Sequence, residues 1–326
     1  MKDICFIVPY FGNLPDNFQL WLDSCKCNNT VNWLLFLDDQ SSYEYSANVK
    51  VNFITFESFR RKIQSFYDFT ISLDTPYKIC DFRPAYGEIF STELEGYDFW
   101  GYCDTDMIFG DIRHFISEEI LSHYDKVLTR GHFTLLRNSP TINSIYRKKI
   151  NGTERYKLVF QNKGTFSFDE WGESPNNFND ICIENSIIIY DEIIFSDIYI
   201  GKFAFLQYQT KKLETHESPS IFLLNKTDGK LHRYYIEYLS NALCSNEVLY
   251  LHIQKRNMRI DYNCYQTDCI LIKPNVYMAF SGDVTADLVR KSCKGKLIYY
   301  DYIKIRVKNL RTKINNLTKK CFINCE

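Results

Sequence analysis

The sequence predicts an α/β fold in which helices flank a mostly parallel, mixed central sheet. Strand-like and helix-like segments alternate through the first third of the chain, and pairs of acidic residues follow two of the apolar strands. This alternation is typical of β-α-β units, whose strands lie parallel. In such sheets ligands bind beyond the carboxyl ends of the strands, where these acidic pairs are expected to lie.

The predicted elements follow one another without long gaps. Strands are predicted at 3–12, 31–40, 49–56 and 98–106, and helices at 14–26 and 58–71, with a turn followed by a helix at 78–97. The segment 14–26 places Phe18, Trp21 and Cys25 at intervals of three and four residues, which is the spacing of an amphipathic helix. These elements form the parallel part of the predicted sheet.

The second half of the chain has a looser pattern. Residues 116–138 predict a helix and two strands joined by a Gly-His turn, 182–200 is apolar and partly helical, and 201–283 predicts short strands. We therefore predict one domain at 1–283 and a basic helical extension at 284–326. Residues 304–320 contain no acid, and their apolar residues have helical spacing. This favours an amphipathic helix on an anionic membrane surface, with a solvated C-terminal helix as the alternative.

Composition excludes several classes of protein. The 326 residues are 45% hydrophobic, and 39 basic against 40 acidic residues give a net charge of -1, so nothing indicates nucleic-acid binding. The apolar runs are too short for a transmembrane helix. The N-terminal segment is interpreted as a strand kept in the mature protein rather than as a signal peptide. The 12 cysteines are irregularly spaced without C-x-x-C, which favours reduced thiols over zinc or disulfides.

The stretch "GYDFWGYCDTDMIFGD" ends a predicted core strand with Asp104 and Asp106, two residues apart. If the backbone turns there, both carboxylates can converge on one divalent cation, and carboxylate oxygens suit Mg²⁺ or Mn²⁺. Alone, such a pair more often indicates helix capping or a solvated turn. Asp111 is predicted to cap the helix that follows it.

Other segments accompany this motif in a fixed order along residues 1–256. They are "VPYFG" (8–12), "WLLFLDD" (33–39), "YKICDFRPAYG" (77–87), "FDEWG" (168–172) and "YLHIQKR" (250–256). Together they resemble the nucleotide-sugar glycosyltransferases of the GT-A fold. More narrowly, they resemble a group of bacterial proteins from surface-polysaccharide (capsule and O-antigen) gene clusters.

The resemblance implies transfer of a sugar from a nucleotide-sugar donor to an acceptor hydroxyl. It implies Mn²⁺ or Mg²⁺ as cofactor, favours a UDP-sugar as donor, and implies a glycan or lipid-linked oligosaccharide as acceptor. The metal would hold the donor diphosphate and neutralise the charge of the departing nucleotide. The enzyme is expected in the cytoplasm, with residues 304–320 as a candidate contact with the inner face of the membrane.

The ends of the first two strands are the expected nucleoside site. Pro9, Tyr10 and Phe11 form a turn on which a base can rest, with core aromatics in an ordinary turn as the alternative. Asp38 or Asp39 is expected to accept hydrogen bonds from the base or the ribose, and a solvated turn or a cap is the alternative.

The pair Asp104 and Asp106 is called the D-x-D motif below. The segment before the strand that ends in this motif carries Lys78, Asp81 and Arg83. The resemblance implies that Lys78 or Arg83 pairs with phosphate and that Asp81 binds a sugar hydroxyl. The alternative is a structural Asp–Arg pair that fixes the start of a helix.

The resemblance also implies a set of metal ligands and a further contact with the diphosphate. Asp104, Asp106 and His252 are the expected metal ligands, with Asp104 also a candidate contact to ribose or sugar, and Lys255 would hold the diphosphate. A glycine that often lies between the His and the Lys of this pattern is absent here.

Asp169 and Glu170 in "FDEWG" are the candidate catalytic carboxylates. One of them would be the base if the enzyme inverts, or would stabilise the developing charge or act as nucleophile if it retains. A loop turn beside a buried Trp is the alternative. His132 could line the acceptor pocket, although a structural role is the other interpretation.

Two other classes of function stay open at this point. A metal-dependent phosphoester hydrolase or nucleotidyltransferase would use the same carboxylates, and it would consume a nucleotide-sugar without glycosylating an acceptor. A non-catalytic glycan-binding protein would bind sugar through aromatic side chains, and it would bind no nucleotide.

Overall fold

The structure, a computed structural model, describes residues 1–170, 176–199, 202–208, 215–217, 219–254 and 256–293, together with 303 and 307. The strands are β1 (Ile4–Tyr10), β2 (Val31–Leu37), β3 (Val49–Phe53), β4 (Phe99–Cys103), β5 (Met107–Phe109), β6 (Lys126–Arg130), β7 (Phe133–Arg137), β8 (Ile189–Tyr190), β9 (Ser196–Ile198), β10 (Phe205–Tyr208), β11 (Thr215–Glu217), β12 (Ser220–Asn225), β13 (Lys230–Ile236), β14 (Leu243–Glu247), β15 (Tyr250–His252), β16 (Arg259–Ile260), β17 (Cys269–Lys273) and β18 (Val276–Ala279). The α-helices are α1 (Phe18–Cys27), α2 (Phe56–Gln64), α3 (Tyr86–Ile89), α4 (Ile112–Phe115), α5 (Glu118–His123), α6 (Pro140–Asn143), α7 (Arg155–Gln161), α8 (Phe178–Glu184) and α9 (Ala286–Cys293). The 3₁₀ helices are Pro76–Ala85, Ile145–Arg147 and Tyr262–Tyr265.

The central sheet has seven strands in the order β3-β2-β1-β4-β7-β6-β8. Strands β3, β2, β1 and β4 are parallel neighbours, and β7 is antiparallel to both β4 and β6. The carboxyl ends of β1 and β4 therefore meet the β6–β7 turn at one edge of the sheet. The predicted α/β fold with a mostly parallel, mixed central sheet is confirmed.

Both faces of this sheet are buried, which explains why β1 and β2 are apolar at nearly every position. Along β1, Ile7 packs on one face with Phe59 of α2, whereas Phe6 packs on the other with Trp21 of α1. Successive side chains of a strand point to opposite faces, so one strand contributes to two cores. These cores fix the position of the sheet edge relative to the helices.

Two further sheets complete the described structure. The second has the order β11-β10-β9-β15-β5 and carries His252 at the end of β15. The third has the order β14-β13-β12-β17-β18-β16. On the third sheet, α9 buries Val289 with Ile221 and Leu271. This helix begins the predicted extension 284–326, most of which lies outside the described residues.

Some predicted element boundaries were wrong. The helix predicted at 58–71 is α2, which begins at Phe56 after the Thr55 side chain accepts a hydrogen bond from the Ser58 N–H and which ends at Gln64. The helix predicted within 78–97 is a 3₁₀ helix followed by the short α3. Pro84 lies in the 3₁₀ helix and has no N–H to donate, which opposes a continuous α-helix there.

Asp111 caps α4 as predicted, since its Oδ1 accepts a hydrogen bond from the His114 N–H at 3.0 Å. The cysteines among the described residues have free thiols. Within the described part of the chain, no helix has the length and apolar character needed to cross a lipid bilayer.

Candidate active site

A cavity of about 970 Å³ opens at the edge of the central sheet where β1 and β4 end. Its lining includes the end of β1 at 9–11, the loop 104–106 after β4, the turn 130–132 between β6 and β7, and His252. Charged side chains thus converge at the edge where ligands bind in sheets of this kind.

The backbone of the loop after β4 is fixed on both sides. The Asp104 N–H donates to the His132 carbonyl at 3.0 Å, and the Ile253 N–H donates to the Asp106 carbonyl at 2.8 Å. The Trp21 indole N–H donates to the Asp104 carbonyl at 3.1 Å. Because these backbone groups are satisfied within the protein, the loop has a fixed backbone, and both Asp104 and Asp106 line the cavity.

Strand pairing brings His252 to these carboxylates. β15 lies between β9 and β5, in a register that places His252 opposite both Met107 and Asp197. The Nε2 atom of His252 lies 3.4 Å from Asp106 Oδ1 and 3.9 Å from Asp104 Oδ2. Its other ring nitrogen, Nδ1, is 2.9 Å from Asp197 Oδ1.

This arrangement fits a divalent cation. One ligand atom from each of Asp104, Asp106 and His252 can be chosen so that all three lie within 4.8 Å of one another. Two carboxylates and one imidazole are ligands that Mn²⁺ accepts. Asp197 is nearly fully buried and engages Nδ1, which leaves Nε2 for a cation, as carboxylate partners of metal-bound histidines do.

The charge of His252 depends on its surroundings. Burial disfavours the charged ring, but the carboxylates of Asp106 and Asp197 outweigh this and raise the pKa of His252 well above its usual value. Protonation of the His252 ring therefore offsets part of the negative charge of the neighbouring carboxylates. Cation binding has to displace that proton, so metal affinity is expected to fall at low pH.

His132 stacks on His252 with ring centroids 4.2 Å apart and an interplanar angle of 18°. Burial and the neighbouring His252 lower the pKa of His132 to about 3, so its ring is neutral at pH 7. Its Nε2 atom is buried without a hydrogen-bond partner among the described residues. The stacked ring limits the movement of His252 perpendicular to the plane of its own imidazole.

Arg83 connects the D-x-D loop to the candidate catalytic carboxylates. One guanidinium nitrogen donates to Asp169 Oδ2 at 2.9 Å and to the Gly131 carbonyl at 2.6 Å, and the other donates to Asp104 Oδ1. Burial raises the pKa of Asp169 to about 7, and Arg83 offsets part of that rise. The Arg83 guanidinium is thus shared between two carboxylates. Because its pKa lies near 7, Asp169 can exchange a proton near neutral pH.

Glu170 lies beside Asp169, and burial raises the pKa of its carboxyl as well. Both carboxylates pack against Gly131, where a Cβ atom would lie 2.8 Å from Glu170 Oε2 and 3.0 Å from Asp169 Oδ2. The phenol of Tyr102 donates to the Asp169 carbonyl at 3.2 Å. The structure therefore brings this predicted pair into the same cavity as the D-x-D loop.

Lys78 and Asp81 are not brought to the cavity. They form a buried ion pair of 2.7 Å with side chains 2% and 0% exposed. Lys78 also donates to the Val159 carbonyl at 2.9 Å, and Asp81 accepts from the N–H groups of Phe166 and Phe168. All of their polar groups point to the segment before Asp169, so in this structure the pair anchors that segment.

Of the residues predicted to hold the nucleoside, some line the cavity and others do not. Pro9, Tyr10 and Phe11 line the cavity, but Phe11 packs its ring against two aromatic rings of α2. Asp38 and Asp39 accept hydrogen bonds from loop N–H groups, Asp38 from Gly12 at 2.8 Å and Asp39 from Ser41 at 2.8 Å. These two carboxylates therefore stabilise the loops that follow β1 and β2.

Two other predicted contacts lie outside the described residues. They are Lys255 and the basic segment 304–320, in which residue 307 alone is described. The structure therefore adds nothing to either prediction.

A model of a protein family matches residues 6–281 of this chain. The chain belongs to this family. It is described as a family of unknown function, DUF6625. A search of curated proteins found no match.

Among solved structures, galactosyltransferase LgtC, in complex with donor and acceptor sugar analogues, is similar to this chain. It has 11% identity and a TM-score of 0.27 over 49% of this chain and 67% of that one. Mouse xyloside xylosyltransferase 1, in its apo form, has 11% identity and a TM-score of 0.37 over 61% of this chain and 88% of that one. Neither likeness is strong enough to assign an activity to this DUF6625 member.

Two cavity residues were missed by sequence reasoning. Asp197 lies in a short apolar strand, and its only sequence signal is a carboxylate within the run "IIFSDIYI". Arg130 ends β6 after an irregularity in its pairing with β7, where Leu128 has a φ of 61°. A β-bulge re-aims the side chains that follow it, and no spacing rule in the sequence predicts where it occurs.

Proposed function

We propose that this protein is a metal-dependent glycosyltransferase that moves a sugar from a nucleotide-sugar donor to an acceptor hydroxyl. The observation that carries the proposal is the convergence of Asp104, Asp106 and His252 in the cavity at the carboxyl ends of β1 and β4. Mn²⁺ or Mg²⁺ is the proposed cofactor, and a UDP-sugar is the first candidate donor.

Each ligand would be held in place before the donor arrives. Asp104 and Asp106 are fixed through their backbone, and His252 is oriented by Asp197 and stacked on His132. A bound divalent cation would supply positive charge against the negative charge that develops on the leaving diphosphate. Preorganised groups of this kind need little rearrangement during the reaction, which is where much of the rate enhancement of enzymes originates.

The nucleoside would lie on the β1 side of the metal ligands. Phe11 packs its ring against the aromatic rings of α2. Tyr10 is therefore the aromatic side chain of this loop that we expect to contact the base. Asp38 would act indirectly, by holding the Gly12 N–H and with it the conformation of the loop.

The acceptor would be activated on the opposite side. Asp169 is held by Arg83, whereas Glu170 forms no ion pair with a described residue and lines the cavity. Its pKa, raised by burial, moves the carboxyl towards the working pH of a general base. Glu170 is therefore our candidate for the group that accepts the acceptor proton if the enzyme inverts, or that stabilises the anomeric centre if it retains.

The resemblance in sequence further supports a role in bacterial surface-polysaccharide synthesis, with a glycan or lipid-linked oligosaccharide as acceptor. The proposal places the enzyme in the cytoplasm, with residues 304–320 as a candidate peripheral contact with an anionic membrane.

A transfer assay tests the proposal. The purified protein is incubated with a panel of nucleotide-sugars, Mn²⁺ and a mixture of glycan acceptors, and both nucleoside diphosphate release and glycoside formation are measured. We expect one donor to give both products only with the cation, and Asp106→Asn to abolish both. Asp111→Asn is the matched control, because asparagine also caps helices.

Two results would overturn the proposal. Release of nucleoside diphosphate without any glycoside would make the protein a hydrolase. Turnover of no donor, combined with no binding of any nucleotide in the presence of Mn²⁺, would remove the basis for nucleotide chemistry altogether.

A further inference from the structure

Arg130 occupies a defined position in the cavity. It is the last residue of β6 and lines the cavity together with Gly131 and His132. In the sheet order, β4 with its D-x-D loop separates β1 from the β6–β7 pair. Arg130 therefore lies on the far side of the metal ligands from the predicted nucleoside site.

The turn that carries Arg130 is held by the site itself. The Gly131 carbonyl accepts from Arg83, and the His132 carbonyl accepts from the Asp104 N–H. At Gly131 the turn packs against the carboxylates of Asp169 and Glu170. These contacts fix the backbone next to Arg130, so the start of its side chain is placed before any ligand binds.

The guanidinium of Arg130 packs on an aromatic stack. Its central carbon lies 5.8 Å from the ring centroid of Phe195. Phe195 stacks on Tyr250, which in turn stacks on Phe133, at centroid distances of 5.0 and 5.2 Å. A planar guanidinium packs well on such a face, and this leaves its edge free to donate hydrogen bonds.

That edge lacks an acidic partner within the described part of the chain. Arg83 pairs with two carboxylates, whereas Arg130 forms no ion pair with a described residue. Its Nε atom is buried without a hydrogen-bond partner among those residues. A ligand in the cavity would therefore meet the terminal N–H groups of the guanidinium rather than Nε.

We propose that Arg130 binds an anionic group, a carboxylate or a phosphate, on the sugar substrate that occupies the cavity beyond the metal ligands. The inference rests on the proposed glycosyltransferase function and specifies its substrate class: an acidic glycan. A guanidinium can donate two parallel hydrogen bonds to either anion, which gives both affinity and orientation.

Binding of three sugars to the full-length protein tests the inference. Methyl glucoside, methyl glucuronide and methyl glucoside 6-phosphate are titrated by NMR, with diamagnetic Mg²⁺ and again with a chelator. The chelated arm is needed because an anion could otherwise bind the metal ion. We expect at least one acidic sugar to bind about 10- to 100-fold more tightly than the neutral one in both arms, as charged hydrogen bonds predict. The acidic sugar that is preferred identifies the anion.

The variants separate Arg130 from general charge effects. Arg130→Gln should abolish the preference for the acidic sugar, and Arg130→Lys should retain part of it, because the charge remains while the planar fork is lost. Arg60→Gln on α2 removes a surface arginine that pairs with Glu57, and it should change nothing.

Equal binding of the three sugars, absence of acidic-sugar binding, or a preference that survives Arg130→Gln would each overturn the inference. So would an Arg130→Gln variant that instead loses affinity for nucleoside diphosphate with Mn²⁺, since that would place Arg130 at the donor phosphates. Nucleoside diphosphate binding by the wild type reports separately on the proposed function, so the two can fail independently.

Discussion

Replacement of Asp197 by Asn should weaken divalent cation binding without removing a metal ligand. The carboxylate lies 2.9 Å from His252 Nδ1 and is 3% exposed, so the substitution takes a buried charge-assisted hydrogen bond from the ring. Such a bond contributes about 1.5–3 kcal/mol, which corresponds to roughly 10- to 150-fold in affinity. Carboxylate partners of metal-bound histidines have effects of about 10- to 100-fold when mutated.

Mn²⁺ titration followed by electron paramagnetic resonance measures this effect. Asp197→Asn is compared with wild type and with Asp111→Asn, whose carboxylate caps α4 instead of facing the cavity. Circular dichroism establishes that each variant is folded. A folded Asp197→Asn variant with wild-type Mn²⁺ affinity would refute the reasoning, and an equal loss in Asp111→Asn would show that the effect is not specific to the site.

Three other predictions follow from the same structure. Gly131→Ala should lower turnover while the protein stays folded, because its Cβ would lie 2.8 Å from Glu170 Oε2; unchanged kcat would contradict this. Lys78→Met should lower the free energy of unfolding in urea by about 3–5 kcal/mol, because it leaves Asp81 buried and unpaired; a variant as stable as wild type would be inconsistent with a buried pair. Burial raises the pKa of Asp169 from 3.8 to about 7, so the folded state binds this proton more tightly than the unfolded chain, and stability should fall as the pH rises through that window. In Asp169→Asn, the free energy of unfolding should fall less steeply over this pH range. Identical pH profiles of stability for the variant and the wild type would contradict this prediction.

Features that depend on residues close together in the sequence could be predicted. The strand "DFWGYC" and the acids that follow it identify the end of β4, and "YLHIQ" identifies a strand ending at His252. Parallel neighbours end at the same sheet edge, so the D-x-D loop and the β1 turn could be placed together from the alternation of elements alone.

Features that depend on long-range pairing could not be predicted. Asp197 reaches His252 only because β9 pairs with β15 in one register, across 55 residues of sequence. Lys78 and Asp81 carry charges that usually indicate solvent or a ligand, yet both are buried. Their partners include backbone groups of residues 159–168, and the pattern of side chains in the sequence does not predict contacts with distant backbone groups.

The most direct test of the central claim is calorimetric titration of nucleoside diphosphates into the protein, with and without Mn²⁺. The account predicts that one nucleotide binds tightly only with the cation, that Asp106→Asn abolishes this binding, and that Asp111→Asn preserves it. Binding that is indifferent to Mn²⁺ and to Asp106 would contradict the claim that Asp104, Asp106 and His252 form a metal–diphosphate site.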